Sequence, residues 1–151
     1  MEIQGGTLVT LTCVAVLLTA GCLPTKGGRE VGVQNGVRHE GGGWVLTGTA
    51  LEDGPGDLLA TLVGKIPNFR LQRNSGRCPI ITLRGAVSFE GLVNPHVYVD
   101  GTRTTDTCVL TSLRATDVSR VEVYPLGFTT RPGYGTHAHG LILVFMRSAG
   151  G

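Results

Sequence analysis

Hydrophobic positions along the chain change period several times, and each change marks an element. Leu58, Leu59, Leu62, Val63 and Ile66 recur at the three- and four-residue spacing of a helical face. They follow Asp57, whose carboxylate suits the helix-capping position. The pattern predicts a short amphipathic helix, ended by Gly64 and Pro67. Beyond it the period falls to two. "FRLQ" and "CPIITLRG" read as strands, with Ile81 and Leu83 on one face. "HVYVDG" reads as a strand entering an Asp-Gly turn, Val97 and Val99 facing one way and His96, Tyr98 and Asp100 the other. In "VLTSLRATDVSRVEVYP" a helical turn through Leu110 and Leu113 gives way to a strand in which Val121 and Val123 alternate with Arg120, Glu122 and Tyr124. "WVLTGTA" has the β-branched content of an opening strand. "GLILVFMR" is apolar on both faces, the pattern of a central strand covered on both sides. Short helices interleaved with strands place the chain in the α+β class.

The front of the chain follows a different pattern. From Thr7 to Cys22 there is no charge, and the apolar part is shorter than the roughly 20 residues a bilayer span requires. It reads as the hydrophobic region of an export signal. Its ending, Leu18-Thr19-Ala20-Gly21-Cys22, resembles a bacterial lipobox, in which small residues fit the signal peptidase and the cysteine thiol takes a diacylglycerol. Two features depart from that pattern: Thr19 stands where leucine is commonest, and Glu2 but no Lys or Arg precedes Leu8. The resemblance implies a signal peptide over residues 1–21, lipidation of Cys22 and a membrane partner reached through that lipid. An ordinary cleaved signal and a buried apolar segment are the other readings of the same run. Residues 23–43 contain seven glycines and no apolar periodicity, so residues 22–43 are expected to form a tether and residues 44–151 the folded domain.

Composition narrows the function classes. The chain has 151 residues, enough for one modest domain, and its 24 glycines and 16% charged residues favour a loop-rich fold. All 13 Lys and Arg follow Cys22, with 10 of the 11 acids, so a processed chain would carry 13 − 10 = +3. That excess is small and its arginines are scattered, which argues against a nucleic-acid groove. With Cys13 in the signal and Cys22 lipidated, Cys78 and Cys108 remain, and two thiols in an oxidising compartment form a natural pair. The disulfide would stabilise a small domain by roughly 3 to 4 kcal/mol on the chain-entropy argument.

The order of motifs from Trp44 to Arg147 resembles the plug domain of TonB-dependent outer-membrane receptors. "VLTGTA" resembles the family's entry strand, "DLLATLVGKIPNFRL" its helix and following turn, and "ITLRG" the end of its Ile-Arg-Gly strand. "VYVDG", "LTSLRATDVSRVEVY" and "PGYGTHAHGLILVFMR" continue the series with the Asp-Gly strand, a helix, an Asp-Val-x-x-Val-Glu-Val strand, a Tyr-Gly turn and a last apolar strand. The resemblance implies a small plug-like domain with a mixed β-sheet and short helices. In the full receptors the plug sits inside a β-barrel built from several hundred further residues, whereas this sequence stops soon after Arg147 and is expected to act without a barrel in cis. Of the family's usual pair of plug arginines only Arg84 is present; the second segment reads Glu122-Val123-Tyr124-Pro125-Leu126-Gly127. No segment reads as a TonB box.

These features yield an expectation of a lipid-anchored binding or assembly module in the bacterial cell envelope, at the outer membrane, without catalytic activity. Its loops at 85–95 and 126–139 would contact an outer-membrane protein or a small ligand. The alternative is an accessory plug acting with a barrel supplied in trans. Asp100-Gly101 is the pair a tight turn needs, and His96 lies at a strand start beside Pro95. Cys108 as a nucleophile would need a positioned base and a depressed thiol pKa. His137 and His139 are spaced to chelate a metal, but a stable zinc site takes three or four ligands, and only the distant His39 and His96 could join them. No catalytic set, metal site or cofactor is therefore expected.

Overall fold

The computed structural model describes residues 36–73, 75–84 and 94–148. In chain order these form β1 (Gly36–Glu40), β2 (Gly43–Thr47), α1 (Thr49–Glu52), α2 (Leu58–Lys65), β3 (Arg70–Gln72), β4 (Ile80–Thr82), β5 (His96–Val99), β6 (Thr102–Arg103), α3 (Val109–Ser112), a 3-10 turn (Ala115–Asp117), β7 (Val118–Tyr124) and β8 (Leu141–Met146). Six strands make one sheet in the order β1-β2-β7-β8-β5-β6, and β3 and β4 pair separately. Neighbours run antiparallel except β5 and β8, which are parallel, so this is an α+β domain with a mixed sheet. Among the described residues no helix is long and apolar enough to cross a membrane.

Local chemistry explains the elements. The Asp57 carboxylate accepts a hydrogen bond from the Ala60 amide at 2.7 Å, satisfying one of the free donors at the start of α2. Leu58, Leu59, Leu62 and Ile66 are buried, as their spacing predicts. Val63 departs from expectation: it is 40% exposed, because it lies one position off the stripe that meets the sheet. Asp100 and Gly101 join β5 to β6 with φ of 46° and 82°, the left-handed pair of a two-residue hairpin turn. The Asp100 carboxylate also accepts from the Met146 amide at 2.9 Å, tying that turn to the end of β8.

The start of the folded region requires a correction. Residues 23–43 were expected as a tether, yet β1 lies within them and pairs along its whole length with β2, His39 opposite Trp44. Gly41 and Gly42, with φ of 59° and 79°, form its turn. β1 is a polar edge strand held by backbone pairing rather than by apolar side chains of its own, so hydropathy does not find it. The signal region and the rest of the expected tether lie outside the described residues.

β8 separates two apolar layers. Ile142 and Val144 join Leu46, Val97, Val121 and Val123 against α1, α2, α3 and the β3–β4 pair. On the other face Leu141 and Leu143 pack with Tyr98 and Tyr124, partly covered by Tyr134 and Phe145. The small β3–β4 unit is stapled down at three points. Cys78 is joined to Cys108, with Cα atoms 4.7 Å apart. The Thr107 hydroxyl donates to the Pro79 carbonyl, and the Asn94 side chain accepts from the Ile81 amide at 2.7 Å.

Candidate functional site

The residues of the stretch around His96, Asp100 and Cys108 are not brought together as one chemical site. Asp100 is the hairpin turn at one end of β5, Cys108 is bonded to Cys78, and His96 stands at the opposite end of the strand. The Cys78 and Cys108 sulfurs and an Asp106 oxygen lie close together, but both sulfurs are consumed by the disulfide, which leaves no metal-binding thiolate. The Asp106 carboxylate instead accepts from the Cys108 amide at 2.9 Å and from the Thr105 hydroxyl at 3.3 Å.

His96 does acquire neighbours that sequence alone did not assign. Its ring stacks on His137 with centroids 3.5 Å apart and planes 19° from parallel, and His139 lies 5.5 Å beyond His137. The Arg103 guanidinium is 2.7 Å from His96 Nε2. Guanidinium has only donors to offer, so Nε2 is the acceptor and His96 is neutral in this arrangement. His137 Nδ1 is buried without a hydrogen-bond partner. His39, the remaining histidine, packs edge-on against Trp44 in the β1–β2 hairpin. The stacked pair lines a cleft of about 220 Å³, shared with Asn94, Pro95 and the threonines at 104, 105 and 107.

Electrostatics in the cleft favour uncharged imidazoles. For His96, burial, then His137, then Arg103 lower the pKa. Burial also lowers that of His137; its backbone hydrogen bond with Gly140 opposes the shift, while His139 and Arg103 add to it. The Arg103 guanidinium repels a cation and occupies His96 Nε2, so that nitrogen is not free to take a metal in this arrangement.

A second constellation was missed at the sequence level. Glu122, which the alternation places on the face of β7 opposite Val121 and Val123, is fully buried on the Tyr98–Tyr124 face of the sheet. Its carboxylate accepts from Arg131 (2.6 to 2.9 Å), from the Tyr124 hydroxyl (2.8 Å) and from Arg120. Burial pushes the carboxyl pKa up, but Arg131, then Tyr124 and Arg120, bring it below its ordinary value. Burial, and then the Glu122 carboxylate, raise the Tyr124 hydroxyl against the pull of Thr129. Arg131 also lies over the Phe145 ring, 5.2 Å from its centroid. One signal was available: "GLILVFMR" implies a covered second face, and Glu122 sits on the neighbouring strand. The Arg131 contact depends on a loop that pairing rules do not reach.

The segment between β7 and β8 presents two exposed apolar side chains, Leu126 and Phe128, each 51% exposed. They flank Gly127, whose φ is 73°. The Gly127 carbonyl accepts from the His137 amide at 2.8 Å, so the segment is cross-tied near both ends. Arg84 donates to the Pro125 carbonyl at 2.8 Å from the other side. The 126–139 loop is thus described in full, whereas residues 85–93 of the other expected contact loop, and Cys22, lie outside the described residues.

No protein-family model and no curated protein sequence matches the chain. Among solved structures it is similar to a chain of the RagAB peptide importer in its "closed-closed" state, with a TM-score of 0.55 and 17% sequence identity. The likeness covers 74% of this chain and 13% of the importer chain, and at that identity it is a likeness of fold.

Proposed function

We propose that this protein is a non-catalytic binding or assembly module with a plug-like fold, anchored in the bacterial cell envelope by lipid on Cys22 and working at the outer membrane. The observation that carries the reading is the fold likeness to a chain of a peptide importer over 74% of the sequence, in agreement with the plug-like motif order. The exposed Leu126 and Phe128, on a segment held firmly at Gly127 and His137, supply the apolar contacts that a partner protein would cover. Affinity purification of the tagged full chain from native membranes, with mass spectrometry of what stays bound, tests the reading. A specific envelope partner lost on Leu126→Asp and Phe128→Asp substitution is expected. Purification free of any envelope partner would overturn it.

A second reading, a plug component acting with a barrel supplied by another chain, is favoured by the importer likeness itself. It calls for a β-barrel protein in stoichiometric amount in the same purification, and other envelope partners would exclude it. Anchoring has its own test. Cys22→Ser should shift the protein out of the membrane fraction and change its gel mobility, because the acceptor thiol is lost; unchanged fractionation and mobility would refute the lipid.

A further inference from the structure

The stacked histidines join two parts of the molecule that are distant in sequence. His96 opens β5, whereas His137 belongs to the 125–140 segment that connects β7 to β8. Around the stack, the His96 amide donates to the Gly140 carbonyl at 3.1 Å and the Gly140 amide to the His137 carbonyl at 3.0 Å. Tyr134, from the same segment, lies edge-on to Tyr98 of β5 with ring centroids 5.1 Å apart. This geometry disfavours charge on the rings. A proton on His96 Nε2 would face the Arg103 guanidinium donor-to-donor, and a second charge on His137 would lie against it with ring centroids 3.5 Å apart.

We infer that the His96–His137 stack is a proton-sensitive latch: near neutral pH it holds the 125–140 segment against β5, and acidification frees the segment and Tyr134 from β5 while Arg131 keeps it tied to Glu122 of β7. The charged and titratable groups facing the stack among the described residues are Arg103 from β6, His139 from the segment itself and Asp106 from the other wall of the cleft. Arg103 and His139 both disfavour charge on His137. Asp106 is the only acid of the set, and its carboxylate is already engaged by the Cys108 amide and the Thr105 hydroxyl. Both imidazoles lie below their ordinary pKa in the closed form, so the open form binds more protons. The closed form is therefore fully favoured above the ordinary imidazole value of about 6.5. It loses ground as pH falls from there towards the depressed closed-form values, and the loss then levels off.

The inference is independent of the proposed function and is tested on the full chain by amide hydrogen exchange at about pH 7.5 and about pH 5, rates being corrected for the intrinsic effect of pH. The amides of Gly127, His137 and Gly140 are expected to lose protection several-fold at the lower pH while those of β7 and β8 keep theirs. His137→Phe, which keeps a stacking ring without a titrating nitrogen, and His96→Gln, which keeps an acceptor for Arg103, should each diminish the pH response. Equal protection of 125–140 at both pH values, an undiminished response in either folded variant, or simultaneous loss across β7 and β8 would overturn the latch.

Discussion

Glu122 shows how much one residue can decide. A carboxylate with no exposed surface is tolerable only because several donors converge on it, and two of the donating side chains, Arg120 and Arg131, keep 28% and 41% of their own surface in water. Removing the acid would leave a cavity and two arginines that solvent can partly rescue. Glu122→Ala should therefore cost about 3 kcal/mol, the lower end of the range for a broken buried pair, measured by denaturant unfolding. The pH sign follows from its depressed pKa. The stabilising contribution is complete above the ordinary glutamate value, and it falls away as pH drops through the lowered folded-state value. Acid titration of stability should flatten in Glu122→Gln. Gly127 is a second such position. A Cβ there would fall on the His137 carbonyl oxygen, in a backbone conformation that already disfavours side chains, and backbone cannot swing aside as a long side chain can. Gly127→Ala should lower the melting temperature more than Gly64→Ala, where a Cβ meets nothing and helix propensity improves.

At the scale of elements, β8 organises the domain because each of its faces supports a different apolar layer. Truncating Leu143 to alanine should cost roughly 2 to 5 kcal/mol, from lost transfer energy and the cavity left behind. Val63→Ala, on the exposed side of α2, should change stability by less than about 1 kcal/mol, and urea melts of the two variants make the comparison. The β3–β4 pair buries less of its own surface and depends on its attachments. Cys78 and Cys108 close a loop of sequence separation 30 that contains β4, β5 and β6, so their loss releases chain entropy in the unfolded state. Cys78→Ser and Cys108→Ser should be about equally destabilising, by a few kcal/mol, and peptide mapping without reductant should recover the two cysteines joined. Two free thiols would refute the bond.

For the whole molecule, the periodicity of single segments was enough to specify most of the fold. Asp57 capping α2, the Asp100-Gly101 hairpin turn and the two-sided β8 all follow from side-chain spacing and backbone preference within a few residues, interactions that a linear sequence carries intact. The paired cysteines were legible for a related reason: once two others were assigned to the signal and the lipid site, only one partner remained for each. β1 escaped because its stability resides in the hydrogen bonds of β2, and a strand without an apolar face leaves no period to read. The burial of Glu122 and the His96–His137 stack escaped for a further reason. Each depends on which side of the sheet the 125–140 segment crosses, and that choice is made by strands distant in sequence, with β8 placed between β7 and a parallel β5. The sequence by itself determined most of the elements, with the Asp57 cap and the Asp100-Gly101 turn, and the pairing of Cys78 with Cys108. Only the tertiary structure decided which polar residues are enclosed and which histidines meet, because long-range packing, unlike local propensity, depends on the mutual position of segments that no short window contains.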